Sequence, residues 1–241
     1  MEQTLILVKP DALKNSLTGY CLLNLSEYHT GLRFAGFKVV HVHKMLAEAH
    51  YAEHKAKPFF PALLDYICGR IHWPENPEKR RVIAIVQQGP DAVKKIREIC
   101  GPTDPHVARE THPGCIRSLG TIQIVQDCSG KTVDRRIDNL LHASANAEDA
   151  EREIKLWFRP QDMPPAMHAF PTDRSDRHYY YQDGKLFTEH GPGRFCLLAP
   201  NDIAWKSDLD ALRLIAAGNT VQISLESISA KYLINEALPE E

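Results

Sequence analysis

The stretch NLLHASANAEDAEREIKLWF carries a lone histidine, His142, just ahead of a helix-patterned segment that contains Glu153. Ala147, Ala150, Ile154, Trp157 and Phe158 recur at helical spacing and make one apolar stripe. Glu148 with Arg152, and Glu151 with Lys155, fall at i,i+4 on the wet side. Glu153 sits beside the stripe, where a buried carboxylate without a partner is costly. A histidine in the preceding loop would supply that partner, which makes His142 a candidate catalytic group. The plainer reading is a surface helix packed on a sheet with an ordinary histidine at its entrance. On this segment alone the plainer reading is the stronger.

Other residues with chemical potential are spread along the chain. Lys9 closes the apolar run TLILV and precedes Pro10-Asp11, so it stands at a strand end. Arg97 neighbours Lys94 and Lys95, which taken alone describes a solvated helix face. His50 and His54 have the i,i+4 spacing of some zinc sites, but there is no H-E-x-x-H and no evident third ligand. His41 and His43 alternate along a strand pattern. The run GPGRF (191–195) reads as a turn rather than a phosphate loop.

The bulk composition limits the classes open to the chain. Its 241 residues are 43% hydrophobic and 25% charged, which suits a globular protein with a sizeable core. A net charge of −2 predicts neither general nucleic-acid binding nor an anionic-membrane surface. Six scattered cysteines form no C-x-x-C and fit a reducing cytoplasm. The sequence shows no signal-like or membrane-spanning window.

These residues need elements to position them. TLILV (4–8), FKVVHVHKM (37–45), VIAIVQ (82–87) and TIQIV (121–125) read as strands. Leu17 to Tyr28, a proline-broken segment ending at Gly69, GPDAVKKIREICG (89–101) and the segment after His142 read as helices. The order predicts a ferredoxin-like β-α-β-β-α-β sandwich, an α+β fold with a mainly antiparallel sheet and helices on one face. Arg70–Arg81 and the run 126–138 read as polar loops. Beyond Phe158 the texture changes to proline and charge. Asp183-Gly184 marks a hairpin there, and 207–218 a short helix.

TLILVKPDAL, HYAEHKAKPFF, GPDAVKKIREICGPTDP, HPGCIR and NLLHAS…AEREIKLWF occur in this order over residues 2–158. Together they closely resemble the nucleoside diphosphate kinase family. The resemblance implies ping-pong transfer of the γ-phosphate of a nucleoside triphosphate, typically ATP, to a nucleoside diphosphate through phospho-His142. An imidazole nitrogen is nucleophilic near neutral pH, so no strong base is required. The resemblance further implies that Glu153 fixes the imidazole tautomer and that Ser144 holds this carboxylate, although a helix N-cap serves Ser144 equally well. It assigns phosphate handling to Lys9, Arg97, Arg117 and Thr103, and a phenol near the histidine to Tyr51. It gives Phe59 the stacking face for the base, Ile124 the apolar contact opposite, and Asn139 the sugar hydroxyl. Stacking accepts any base, because every base has a π-face. Mg²⁺ would arrive with the nucleotide phosphates, without a protein cage. A homo-oligomer is implied as well.

Several features depart from the family pattern. Ala143 and Ala145 stand where the family usually has glycine and aspartate, and a glycine-only backbone at 143 would be strained. Two insertions, at about 70–81 and 126–138, interrupt a catalytic domain spanning 1–160. Residues 161–241 form an extension without counterpart in the short family form. The competing readings are a catalytically weak nucleotide-binding regulator and a kinase-like scaffold for the extension.

Overall fold

A computed structural model describes residues 1–126 and 132–235. The first part of the chain holds six strands: β1 (Glu2–Val8), β2 (Arg33–Val40), β3 (Val82–Gly89), β4 (Thr121–Gln126), β5 (Thr132–Asp138) and β6 (Leu141–Ala143). The core sheet has the order β2-β3-β1-β6, with every neighbour antiparallel. Its helices are α1 (Pro10–Lys14), α2 (Thr18–Asn24), α3 (Glu27–Thr30), α4 (Lys44–His50), α5 (Phe60–Ile67), α6 (Ala92–Cys100), α7 (Pro105–Thr111) and α8 (Ala147–Trp157).

The strand at 121–125 differs from expectation. It pairs with β5 in a separate hairpin, outside the core sheet. The polar loop expected at 126–138 supplies the second arm of this hairpin, while its residues 127–131 lie outside the described part. The fourth core strand is the three-residue β6, which carries His142 opposite Leu7. Three residues are too few for a periodicity signal, so β6 escapes pattern reading.

Helices also cover both faces of the sheet rather than one. Leu5 and Leu7 pack with α4, α5 and α8 on one side. Ile6 and Val8 pack with Ala12, Cys21, Ala92 and Ile96 from α1, α2 and α6 on the other. A strand buried on both faces has no polar side, which is why β1 and β3 read as unbroken apolar runs. At Gly36, in an irregular step of β2, a Cβ would stand 2.8 Å from the Phe158 ring. Glycine leaves room for the Phe158 ring, just past the end of α8, against β2.

The later chain adds β7 (Thr172–Arg174), β8 (Tyr179–Gln182), β9 (Lys185–Phe187), β10 (Phe195–Leu198), β11 (Ile203–Trp205), α9 (Lys206–Ala216) and α10 (Leu225–Ala230). The hairpin β8–β9 turns at Asp183 and Gly184, both at positive φ as Asp-Gly favours. Tyr179, Leu198, Leu209, Leu212 and Ile228 build a small core of their own. Trp205 leaves that core and joins the main one, donating from Nε1 to the Phe158 carbonyl at 2.6 Å. The His43 ring pairs with the Ala230 carbonyl at 3.0 Å, so α10 is fastened to the start of α4. No helix among the described residues is long and apolar enough to cross a membrane.

Candidate active site

His142 projects from β6, with its side chain 19% exposed. Its Nε2 lies 3.0 Å from both oxygens of Glu153, the seventh residue of α8 and about two turns in. Ser144 donates to the same carboxylate at 2.6 Å. The helix is capped instead by Asn146, which accepts from Asp149 N at 2.8 Å, so the N-cap reading of Ser144 does not hold. Burial alone would raise the Glu153 pKa; attraction to His142, its hydrogen bond and that of Ser144 outweigh this and bring it to about 2. An ionised carboxylate can only accept, so His142 Nε2 must carry the hydrogen. The lone pair of neutral His142 is therefore on Nδ1, which makes no hydrogen bond among the described residues.

Of the expected surface pairs on α8, Lys155 meets Glu151 at 2.5 Å. Arg152 turns away from Glu148 and reaches Asp149 at 3.4 Å and Glu153 at 3.6 Å.

Lys9 stands between β1 and α1 and is buried. Its Nζ donates to Asn139 Oδ1 at 2.5 Å and lies 5.1 Å from the Tyr66 ring centre. Burial lowers its pKa to about 8, against the pull of Asp11 and Asp138. Asn139 donates onward to the Thr103 carbonyl at 3.0 Å. Arg117 spends three donors on main-chain carbonyls, one to Gly101 and two to Leu141, at 2.8 to 3.3 Å. It thereby ties the 101–103 loop to the strand that bears His142.

An aromatic row flanks these groups. Tyr51 stacks on His54 at 6.2 Å, and His54 meets the edge of half-exposed Phe59 at 5.7 Å. Burial raises the Tyr51 pKa, so its phenol stays protonated. The i,i+4 reading of His50 and His54 fails, because α4 ends at His50. His50 turns inward, 4.5 Å from the His142 ring, and accepts from Trp157 Nε1 at 3.2 Å. Burial holds His50 well below the usual histidine range, so it is neutral.

Two predicted residues stay apart from this cluster. Arg97 is exposed on α6, and its side chain makes no hydrogen bond or ion pair among the described residues. It faces an open cleft bordered by Glu2, Glu98, Pro102 and Asn146. Ile124 lies on β4, 53% exposed and opposite Arg135 in the hairpin.

Sequence reasoning missed Asp11. It is fully buried and accepts from Leu140 N at 2.9 Å, while Lys9 N donates to Leu140 O at 2.9 Å. Leu140 has φ +69°, a left-handed conformation that costs a non-glycine residue about 1 kcal/mol. The K-P-D run is what holds this strained turn between Asn139 and His142. Ala143, by contrast, lies in β6 without positive φ, so glycine is not required there.

A family model for nucleoside diphosphate kinase matches residues 2–163. The chain belongs to the nucleoside diphosphate kinase family. The enzyme of Pyrococcus furiosus is 37% identical over 163 residues, covering 68% of this chain and 86% of its own. That of Thermus thermophilus is 36% identical over 163 residues, covering 68% and 99%. Among solved structures, Aquifex aeolicus nucleoside diphosphate kinase aligns with a TM-score of 0.53 at 30% identity, covering 68% of this chain and 99% of that one. The Halobacterium salinarum enzyme, solved with CDP, aligns at 0.51 and 30% identity, covering 68% and 91%. The family relationship ends near residue 163, and the unit built around Tyr179 and Leu212 is additional to the kinase fold.

Among the described residues, His50, His142 and Glu153 are the group whose ligand atoms lie close enough for a metal, within 4.8 Å of one another. Two imidazoles and one carboxylate do not suit Mg²⁺, which wants oxygen ligands. This group is therefore not a Mg²⁺ site.

Proposed function

We propose that the chain is an active nucleoside diphosphate kinase, moving the γ-phosphate of a nucleoside triphosphate to a nucleoside diphosphate through phospho-His142. The observation that carries this reading is the Ser144–Glu153–His142 relay, which leaves the lone pair of neutral His142 on Nδ1. In the first half-reaction Nδ1 attacks the γ-phosphorus. The bond to the β–γ bridging oxygen breaks, and the diphosphate leaves with that electron pair. The imidazole, still protonated on Nε2, becomes cationic, and Glu153 offsets the new charge. In the second half-reaction a terminal oxygen of another diphosphate attacks the same phosphorus, and the N–P bond breaks toward Nδ1.

Little covalent work remains for the protein, so positioning and charge dominate. Lys9, Arg117 and the Thr103 hydroxyl would meet the phosphates, with Arg97 swinging in from α6. Asn139 would take the sugar hydroxyl, and Phe59 the base, with Ile124 as its apolar counterpart. Tyr51 would hold the histidine's open side. Mg²⁺ would neutralise charge on the bound phosphates. A weak nucleotide-binding regulator is disfavoured, since binding alone needs neither the histidine nor its carboxylate.

We place the enzyme in the cytoplasm, consistent with free Cys21, Cys68, Cys100, Cys115 and Cys196. Exposed Phe37 and Val39 on the edge strand β2 favour a homo-oligomer. The test is transfer from ATP to GDP, CDP and UDP. All three triphosphates are expected to form, with initial rates showing ping-pong kinetics. Binding of ADP without any transfer would instead establish the regulator.

A further inference from the structure

Asp138 and His72 come from the two polar loops on which the chain departs from its family, yet they meet inside the protein. Both are about 95% buried, and His72 Nε2 lies 3.2 Å from Asp138 Oδ2. Arg136 closes the other side of the carboxylate with two hydrogen bonds, at 2.8 and 3.1 Å. Burial would raise the Asp138 pKa; the bonds from His72 and Arg136 outweigh it and keep the group ionised. The first loop is itself fastened, because Arg80 donates to the carbonyls of Trp73 and Pro74. His72 is thus presented from a braced segment.

Two paths run from this pair to Lys9. Asp138 directly precedes Asn139, whose side-chain oxygen receives Lys9 Nζ at 2.5 Å. The His72 ring also meets the Tyr66 ring edge-on at 5.2 Å, and Lys9 Nζ lies 5.1 Å over the same ring. The cation is therefore bounded by an amide and an aromatic face that both lean on His72–Asp138.

We propose that His72 and Asp138 are positioning residues for nucleotide capture, a clasp between the two loops that sets Asn139 and Lys9 before substrate arrives. The clasp acts on the sugar and phosphate end, so it serves every base alike. This rests on the roles given above to Asn139 and Lys9. A pair that merely joined two loops would matter for stability alone.

The test uses the full chain and measures KM and kcat for ATP, GDP and CDP, with melting temperature in parallel. His72→Phe keeps the ring against Tyr66 but removes the donor. It is expected to raise KM about tenfold for all three nucleotides, with kcat within about twofold, since bonds to charged groups are among the stronger ones. Asp138→Asn, which conserves shape and should fold even if the Phe variant does not, is expected to do the same. His72→Gln restores a donor and is expected to return KM to within about threefold of the native value. The double variant His72→Phe/Asp138→Asn should be no worse than either alone. Unchanged KM in Asp138→Asn, or a lowered melting temperature without any change in KM, overturns the clasp. Absence of phosphohistidine in the native protein would instead overturn the underlying kinase reading, so the two failures are distinguishable.

Discussion

Glu153→Gln removes one charge from the relay while keeping its shape. The carboxylate is 4% exposed, and its pKa lies at about 2 against an ordinary 4.5. At about 1.4 kcal/mol per pH unit, the gap of 4.5 − 2 means that the site favours the ionised form by about 3 kcal/mol. His142 is the first attractive contributor to that preference, and it needs the charge most when phosphorylated. A glutamine can still accept from Ser144, but it no longer forces the hydrogen onto Nε2. If one to two thirds of the 3 kcal/mol is expressed at His142, phosphorylation slows by about 5- to 30-fold. Single-turnover quench-flow with ATP at pH 7 reads this rate directly. A second readout concerns stability. A folded pKa below the unfolded one gives stability that is complete above about pH 4.5 and is lost as pH falls toward 2. The stability difference between native protein and variant should therefore be largest at neutral pH and shrink between pH 4.5 and 2, as followed by denaturant titration. A variant that phosphorylates at the native rate, or a stability difference independent of pH over this window, refutes the reasoning.

Lys9, with its pKa near 8, should make kcat/KM fall as pH rises through about 8, because the free enzyme loses a phosphate-binding cation; Lys9→Met should abolish that limb and lower kcat/KM throughout. For stability the sign is opposite: the unfolded chain holds this proton up to about 10.5, so Lys9 makes folding more favourable as pH rises from 8 to 10.5. Phe59→Ala removes a half-exposed stacking face worth about 1–3 kcal/mol, so KM should rise 5-fold or more for purine and pyrimidine nucleotides alike, with kcat little changed in steady-state assays. Trp205→Ala empties a fully buried site in the main core and frees the Phe158 carbonyl; a loss of about 3–5 kcal/mol in urea unfolding is expected, and a loss under 1 kcal/mol would mean that the later unit folds apart from the core.

What was legible in the sequence follows from element length and spacing. β1 and β3 are long apolar runs that could be recognised directly, and their burial on both faces explains the missing alternation. α8 showed its stripe, and its register alone put Glu153 on the side toward His142. β6 was invisible, because three residues carry no period and its place in the sheet comes from pairing with β1. TIQIV has strand propensity but no power to say which strand it joins, and it forms a hairpin with β5 rather than a fourth strand of the core sheet. Asp11 carries no local signal of its own; its purpose appears when Leu140 is seen at positive φ, a property no local pattern announces. His72 and Asp138, 66 positions apart, had no signal in common.

The central claim is that His142 carries the phosphate on Nδ1. Incubation of the intact protein with ATP and Mg²⁺, followed by phosphorus NMR and mass spectrometry under alkaline conditions, addresses it most directly. One acid-labile phosphate per chain, bonded to Nδ1 of His142 and absent from His142→Ala, is the expected result. A stable phosphate on another residue, attachment through Nε2, or no phosphate on the native protein would contradict it.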